Sequence, residues 1–100
     1  MEIVKTNENG TLCVKLTGRL DTNTSPELDA NIKDDVAGVK EVKFDLKKLE
    51  YISSAGLRII LMYHKLLTAK GGRLVILHPT EEVMEVFDMT GFSSFLVIEE

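Results

Sequence analysis

From Thr11 to Leu16 apolar and polar positions alternate, with Leu12, Val14 and Leu16 separated by Cys13 and Lys15, the period of a strand buried on one face. The turn sequence Asn7-Glu8-Asn9-Gly10 stands before it and Ile3 and Val4 lie upstream, so the chain is expected to open as a β-hairpin. A second alternation, Val42, Phe44 and Leu46 against Lys43, Asp45 and Lys47, predicts a third strand, followed by a short connection over 48–52. Between these strands the period lengthens. Leu28, Ile32 and Val36 fall on one helical face, behind a start sequence Thr24-Ser25-Pro26-Glu27 that supplies a capping hydroxyl, an early proline and a glutamate three residues after Thr24. Gly38 marks the end of this helix.

The stretch after Ser53-Ser54 is the most apolar helical pattern of the chain. Leu57, Ile60, Leu61 and Leu67 are its expected inward positions, and Ile59, Met62, Tyr63 and Leu66 widen the arc, so it is expected to lie across the middle of a sheet. Gly71-Gly72 stops it, and the unbroken run Leu74-Val75-Ile76-Leu77 reads as a strand covered on both faces. His78-Pro79-Thr80 leads into a third helix with Val83, Val86, Phe87 and Thr90 at helical spacing and Gly91 at its end, where Phe92 can make the apolar contact of a glycine cap. Phe95-Leu96-Val97-Ile98 predicts a last strand. The order of elements gives an α/β sandwich with a mixed sheet of about five strands and three helices largely on one face. No linker or repeat interrupts it, so residues 1–100 are expected to form one domain.

Composition narrows the function classes. Hydrophobic residues are 44% of the chain and charged residues 28%, in the range of folded soluble domains. The net charge of −4, with Lys40, Lys43, Lys47 and Lys48 interleaved with Glu41, Asp45 and Glu50, argues against nucleic acid as a direct partner. The absence of a long apolar run and of a basic, apolar start at Met1-Glu2-Ile3-Val4-Lys5 argues against a membrane and for a cytoplasmic protein. Cys13 is the single cysteine and has no second thiol for a disulfide or metal site; no cofactor is expected. His64 has Ile60 and Thr68 one turn away, neither a usual metal ligand, and reads as a partly exposed helix histidine. Met62, Met84 and Met89 read as core packing, with any exposed part available to a partner.

The chemistry of interest is the pair of hydroxyls at 53 and 54, at the expected start of the apolar helix. The first N–H groups of a helix lack internal partners and carry partial positive charge, so either serine can cap, and a phosphoryl group on one of them is compatible with the helix beneath. Ser54-Ala55-Gly56 also resembles half of a hydrolase elbow, with His78 and Asp21 as candidate triad partners, but Ile52 stands where that elbow needs glycine.

Three segments carry a family resemblance. The run Ile52-Ser53-Ser54-Ala55-Gly56-Leu57-Arg58-Ile59-Ile60-Leu61 is similar to the signature of the anti-sigma factor antagonist (STAS) family, as are Leu16-Thr17-Gly18-Arg19-Leu20-Asp21 and Val86-Phe87-Asp88-Met89-Thr90-Gly91-Phe92. The resemblance implies partner switching. An unphosphorylated antagonist binds an anti-sigma factor, which is itself a serine kinase; phosphorylation ends the complex, and a metal-dependent serine phosphatase resets it. It implies Ser54 as acceptor, with Ser53 as the alternative, and a partner surface of Asp21, Thr22, Asn23, Ser53, Ser54, Ala55, Gly56 and Arg58. Many family members have aspartate where this sequence has Ser53. The competing reading within the same fold is a scaffold or sensor module in another signalling complex, whose Ser54 is never phosphorylated.

Overall fold

In the computed structural model, which describes residues 1–100, the predicted alternation resolves into five strands: β1 (Glu2–Glu8), β2 (Thr11–Leu20), β3 (Glu41–Ile52), β4 (Arg73–Leu77) and β5 (Val97–Glu99). They pair in sequence order. The β1/β2 hairpin is antiparallel, and β2/β3, β3/β4 and β4/β5 are all parallel. Each parallel step is bridged by one helix: α1 (Ser25–Ala37), α2 (Ser54–Ala69) and α3 (Glu81–Thr90). Crossovers of this kind are right-handed, and here every one moves to the next strand in the same direction. All three helices therefore fall on one face of the sheet. The core agrees, because the inward residues of the strands and those of all three helices form a single cluster of 22 buried residues.

The other face of the sheet is bare. Thr6, Cys13, Lys43, Val75 and Val97 make one row across it, and Val4, Lys15, Asp45, Leu77 and Glu99 the next. Val75 is fully buried yet lies outside the main cluster, screened on this uncovered face by its neighbours in the sheet rather than by a second layer as the sequence suggested, while Cys13 is a half-buried free thiol. On this face Glu41 links three strands: it accepts from Thr11 at 2.8 Å and pairs with Arg73 at 2.6 Å, and these contacts hold its carboxyl below the ordinary range.

The structure corrects the sequence reading at several places. Residues 48–52 are not a connection but the continuation of β3, which runs alongside β2 up to Ile52 opposite Leu20. Two register shifts, between Lys15 and Thr17 and between Gly18 and Arg19, break the alternation there. Phe95 and Leu96 lie before β5, after a short 3-10 turn at Phe92–Ser94, although Leu96 is buried and Phe92 packs against the core. In α2 Tyr63 is fully inward together with Ile60 and Leu67, whereas Leu61 is only half-buried. Tyr63 tolerates burial because its hydroxyl donates to the Asp29 carboxylate of α1, which raises the tyrosine pKa through desolvation first and the carboxylate second. Two methionines expected in the core are exposed: Met62 is 41% exposed and Met89 77%.

Candidate functional site

The carboxyl ends of β2 and β3 lie side by side, and from them emerge the Asp21 turn and the serine turn. The Ser53 N–H donates to the Leu20 carbonyl at 2.9 Å, so the two turns are fastened together at their roots. This places Asp21, Thr22 and Asn23 beside the start of α2.

The α1 side of the site is built by Asp21 rather than by Thr24. Thr24 sits in helical conformation and makes no side-chain cap, and the expected capping box with Glu27 is absent. Instead the Asp21 carboxylate accepts the N–H groups of Asn23 and Thr24, each at 3.0 Å, and the Asp21 carbonyl accepts the Ser25 N–H at 2.9 Å. The Thr24 hydroxyl braces the turn from the other side, donating to the Arg19 carbonyl and accepting from the Asp21 N–H, both at 2.8 Å. The Thr24 N–H above all, with the Thr24 hydroxyl and Asn23 N–H, holds the Asp21 carboxyl below its ordinary pKa against a smaller opposing desolvation. Thr22 and Asn23 are exposed at the tip.

The α2 side separates the two serines by role. Ser53 is extended, with φ −96° and ψ 176°, and its hydroxyl accepts the Gly56 N–H at 3.4 Å, so Ser53 is the N-cap. Ser54 is the first helical residue, exposed, and its hydroxyl makes no hydrogen bond within the chain. Arg58 is exposed one turn further on, and Ala55 is half-buried. Gly56 is buried, so contact with a partner, expected from the sequence, is not open to it. A Cβ at Gly56 would stand 2.8 Å from Leu20 Cγ and 2.9 Å from Ile52 Cγ1. The glycine lets the first turn of α2 rest directly on the ends of β2 and β3, which fixes where Ser54 emerges.

The elements of a hydrolytic triad are not assembled. His78, exposed at the end of β4, makes no side-chain hydrogen bond to Ser54, and the Asp21 carboxylate is occupied within its own turn. No cluster of three metal-ligating side chains exists, and no helix is long and apolar enough to cross a membrane.

One neighbouring feature escaped the sequence reading. The Arg19 guanidinium lies 4.2 Å from the centre of the Tyr51 ring, on the bare sheet face beside the Asp21 turn. The register Arg19 opposite Tyr51 exists only because of the second bulge, which no local pattern announces.

Comparison with known proteins follows the same lines. BtrV of Bordetella bronchiseptica, whose name assigns it to the anti-sigma factor antagonists, is 34% identical over 98% of this chain and 85% of its own. The anti-sigma F factor antagonist of Paenibacillus polymyxa is 28% identical over 98% of this chain and 86% of its own. The Bacillus anti-sigma factor antagonist SpoIIAA shares the fold. Its unphosphorylated form superimposes with a TM-score of 0.85 over 97% of this chain and 87% of its own at 22% identity, and its phosphorylated form with 0.77 over 97% and 90% at 21%. The STAS domain family matches residues 2–100, and with the fold and both turns in place the chain belongs to that family.

Proposed function

We propose that this protein is an anti-sigma factor antagonist that binds an anti-sigma factor serine kinase through the edge formed by the Asp21 and serine turns, and that phosphorylation of Ser54 ends the complex. The observation that carries this reading is the division of labour between the two serines. Ser53 caps α2, which leaves the Ser54 hydroxyl exposed and unengaged. Transfer of the γ-phosphoryl group of ATP to that oxygen, with loss of the hydroxyl proton and release of ADP, breaks no contact that holds the fold. It adds nearly two negative charges at a helix start, where negative charge is tolerated or favoured. At a docked interface the same charge is opposed by desolvation and by any acid on the partner. A serine phosphatase would remove the group and restore binding.

The names of the relatives support the antagonist role, and the existence of SpoIIAA in both unphosphorylated and phosphorylated forms supports an architecture that accommodates the phosphoryl group. The family is one of regulators rather than enzymes. Ser53 in place of the frequent aspartate keeps a good capping residue and drops its charge. The Ser53 hydroxyl accepts the Gly56 N–H whereas that of Ser54 is unengaged, which supports Ser54 over its neighbour as the acceptor.

The test is incubation with ATP and the cognate anti-sigma kinase, followed by intact mass measurement. One phosphate is expected on wild type and on Ser53→Ala, and none on Ser54→Ala. Unchanged mass of the wild type with its cognate kinase contradicts the proposal.

A further inference from the structure

We infer that Arg58 is a built-in clamp for a phosphoryl group on Ser54, closing on it from within the same helix once the serine is modified. The inference rests on the reading of Ser54 as the acceptor and adds a residue to it.

The helix geometry supplies the reach. Residues four apart are separated by about 6 Å along the axis and about 40° around it, so Ser54 and Arg58 share one face of α2. Side chains on a helix lean toward its amino terminus, so the long Arg58 side chain overlies the turn that carries Ser54, rather than pointing away from it. Both residues are exposed, and nothing needs to move aside.

The charge inventory leaves the clamp open in the unmodified protein. The chain forms two ion pairs, Lys5 with Asp35 and Arg73 with Glu41, and Arg58 belongs to neither. It makes no side-chain hydrogen bond to any residue. From Ser54 to Ala69 the helix contains no acidic residue at all, so a phosphate at position 54 would be the one anion within Arg58's own helix. The nearest structured acid at this edge, Asp21, already accepts two backbone N–H groups in its turn. The second cation of the edge, Arg19, is stacked on Tyr51. An anion four residues before an arginine is also the favourable polarity for such a pair, and a guanidinium can offer two parallel N–H groups to phosphate oxygens.

The clamp has a consequence for switching. In the unmodified protein Arg58 is a free cation on the docking edge, available to a carboxylate of the partner. After modification it is drawn onto the phosphate, so the edge gains an anion and loses a free cation in one event.

The test uses the full chain with phosphoserine installed at position 54 during translation, which needs no kinase. The phosphate is titrated by phosphorus NMR in wild type, Arg58→Gln, Arg58→Lys and Lys65→Gln. A guanidinium on the phosphate favours its dianion, so the second phosphate pKa of the wild type is expected about 0.3 pH units below that of Arg58→Gln, a factor of about 2 in dissociation constant. Arg58→Lys should fall between them. Lys65→Gln, which removes the same charge about 10 Å further along the helix, should match wild type. Coincident titrations of wild type and Arg58→Gln overturn the clamp, as does an equal shift in Lys65→Gln, which would mark a general charge effect. Either result leaves Ser54 free to be the acceptor, whereas absence of kinase modification would remove the acceptor role without altering the measured titrations.

Discussion

Replacing each serine of the pair by alanine should produce opposite outcomes in stability and in switching. In Ser53→Ala the Gly56 N–H loses its partner at the start of α2. Loss of an N-cap costs about 0.5–2 kcal/mol, and the 3.4 Å length of this bond places it toward the lower end, about 0.5–1 kcal/mol. With an unfolding entropy of about 2 cal/mol/K per residue over 100 residues, 1 kcal/mol corresponds to about 5 °C, so the melting temperature should fall by about 2–5 °C. The Ser54 hydroxyl bonds to nothing in the chain, and Ser54→Ala should stay within about 0.5 kcal/mol of wild type. Ser54→Asp should be neutral or stabilising by up to about 1 kcal/mol at low salt, because it adds a negative charge to a first turn that contains none. Calorimetric melting of the three variants, paired with phosphorylation assays, reads both properties. A larger loss of stability in Ser54→Ala than in Ser53→Ala would refute the assignment of cap and acceptor.

Three further substitutions or titrations probe the supports of the site. Gly56→Ala should cost about 1–2 kcal/mol, the overpacking against Leu20 and Ile52 exceeding the helix-propensity gain, and should slow Ser54 phosphorylation by displacing the helix start; unaltered melting and phosphorylation rates would contradict the packing role. Tyr63→Phe should lose about 1–2 kcal/mol by removing the hydroxyl from Asp29; because the folded-state tyrosine pKa is raised, its contribution is complete below about 10 and declines as pH rises beyond that, so the variant should show a weaker alkaline loss of stability in pH-dependent melting. Asp21 has the opposite sign. Its folded-state pKa is depressed, so its contribution is present above the unfolded value near 3.8 and is lost as pH falls below it, and Asp21→Asn should flatten stability in that acid window while retaining the turn.

The elements were legible where one period governs a whole segment. Leu12 to Leu16, Val42 to Leu46 and Leu28 to Val36 each declare their type because one face is buried against a common core. The bulged ends of β2 and β3 were not, since the extra residues space the buried Leu46, Leu49 and Ile52 three apart, a spacing that no longer alternates. The cap of α1 was misread because Thr24 and Asp21 offer similar local chemistry, and the choice depends on the Arg19 carbonyl that braces the turn. The inward face of α2 was ambiguous for a different reason: its apolar arc is wide, and Tyr63 is admitted to the core by a carboxylate on another helix. Motif residues located the serine turn, but which serine caps depends on where the backbone leaves the extended conformation, and that is set by the Ser53 N–H bonded to Leu20. The same packing withdrew Gly56 from the surface and left Arg58 on it.

The central claim is that a neighbour reads the charge at Ser54 while the fold stays the same. The direct measurement is the affinity of the cognate anti-sigma kinase for the unmodified and the Ser54-phosphorylated chain by titration calorimetry, with amide spectra of both forms recorded alongside. The account predicts at least about 30-fold weaker binding of the phosphorylated form, about 2 kcal/mol, with spectral changes confined to the Asp21 turn and the first turns of α2. Equal affinity for the two forms, or a phosphorylated chain whose whole spectrum has shifted, would contradict it.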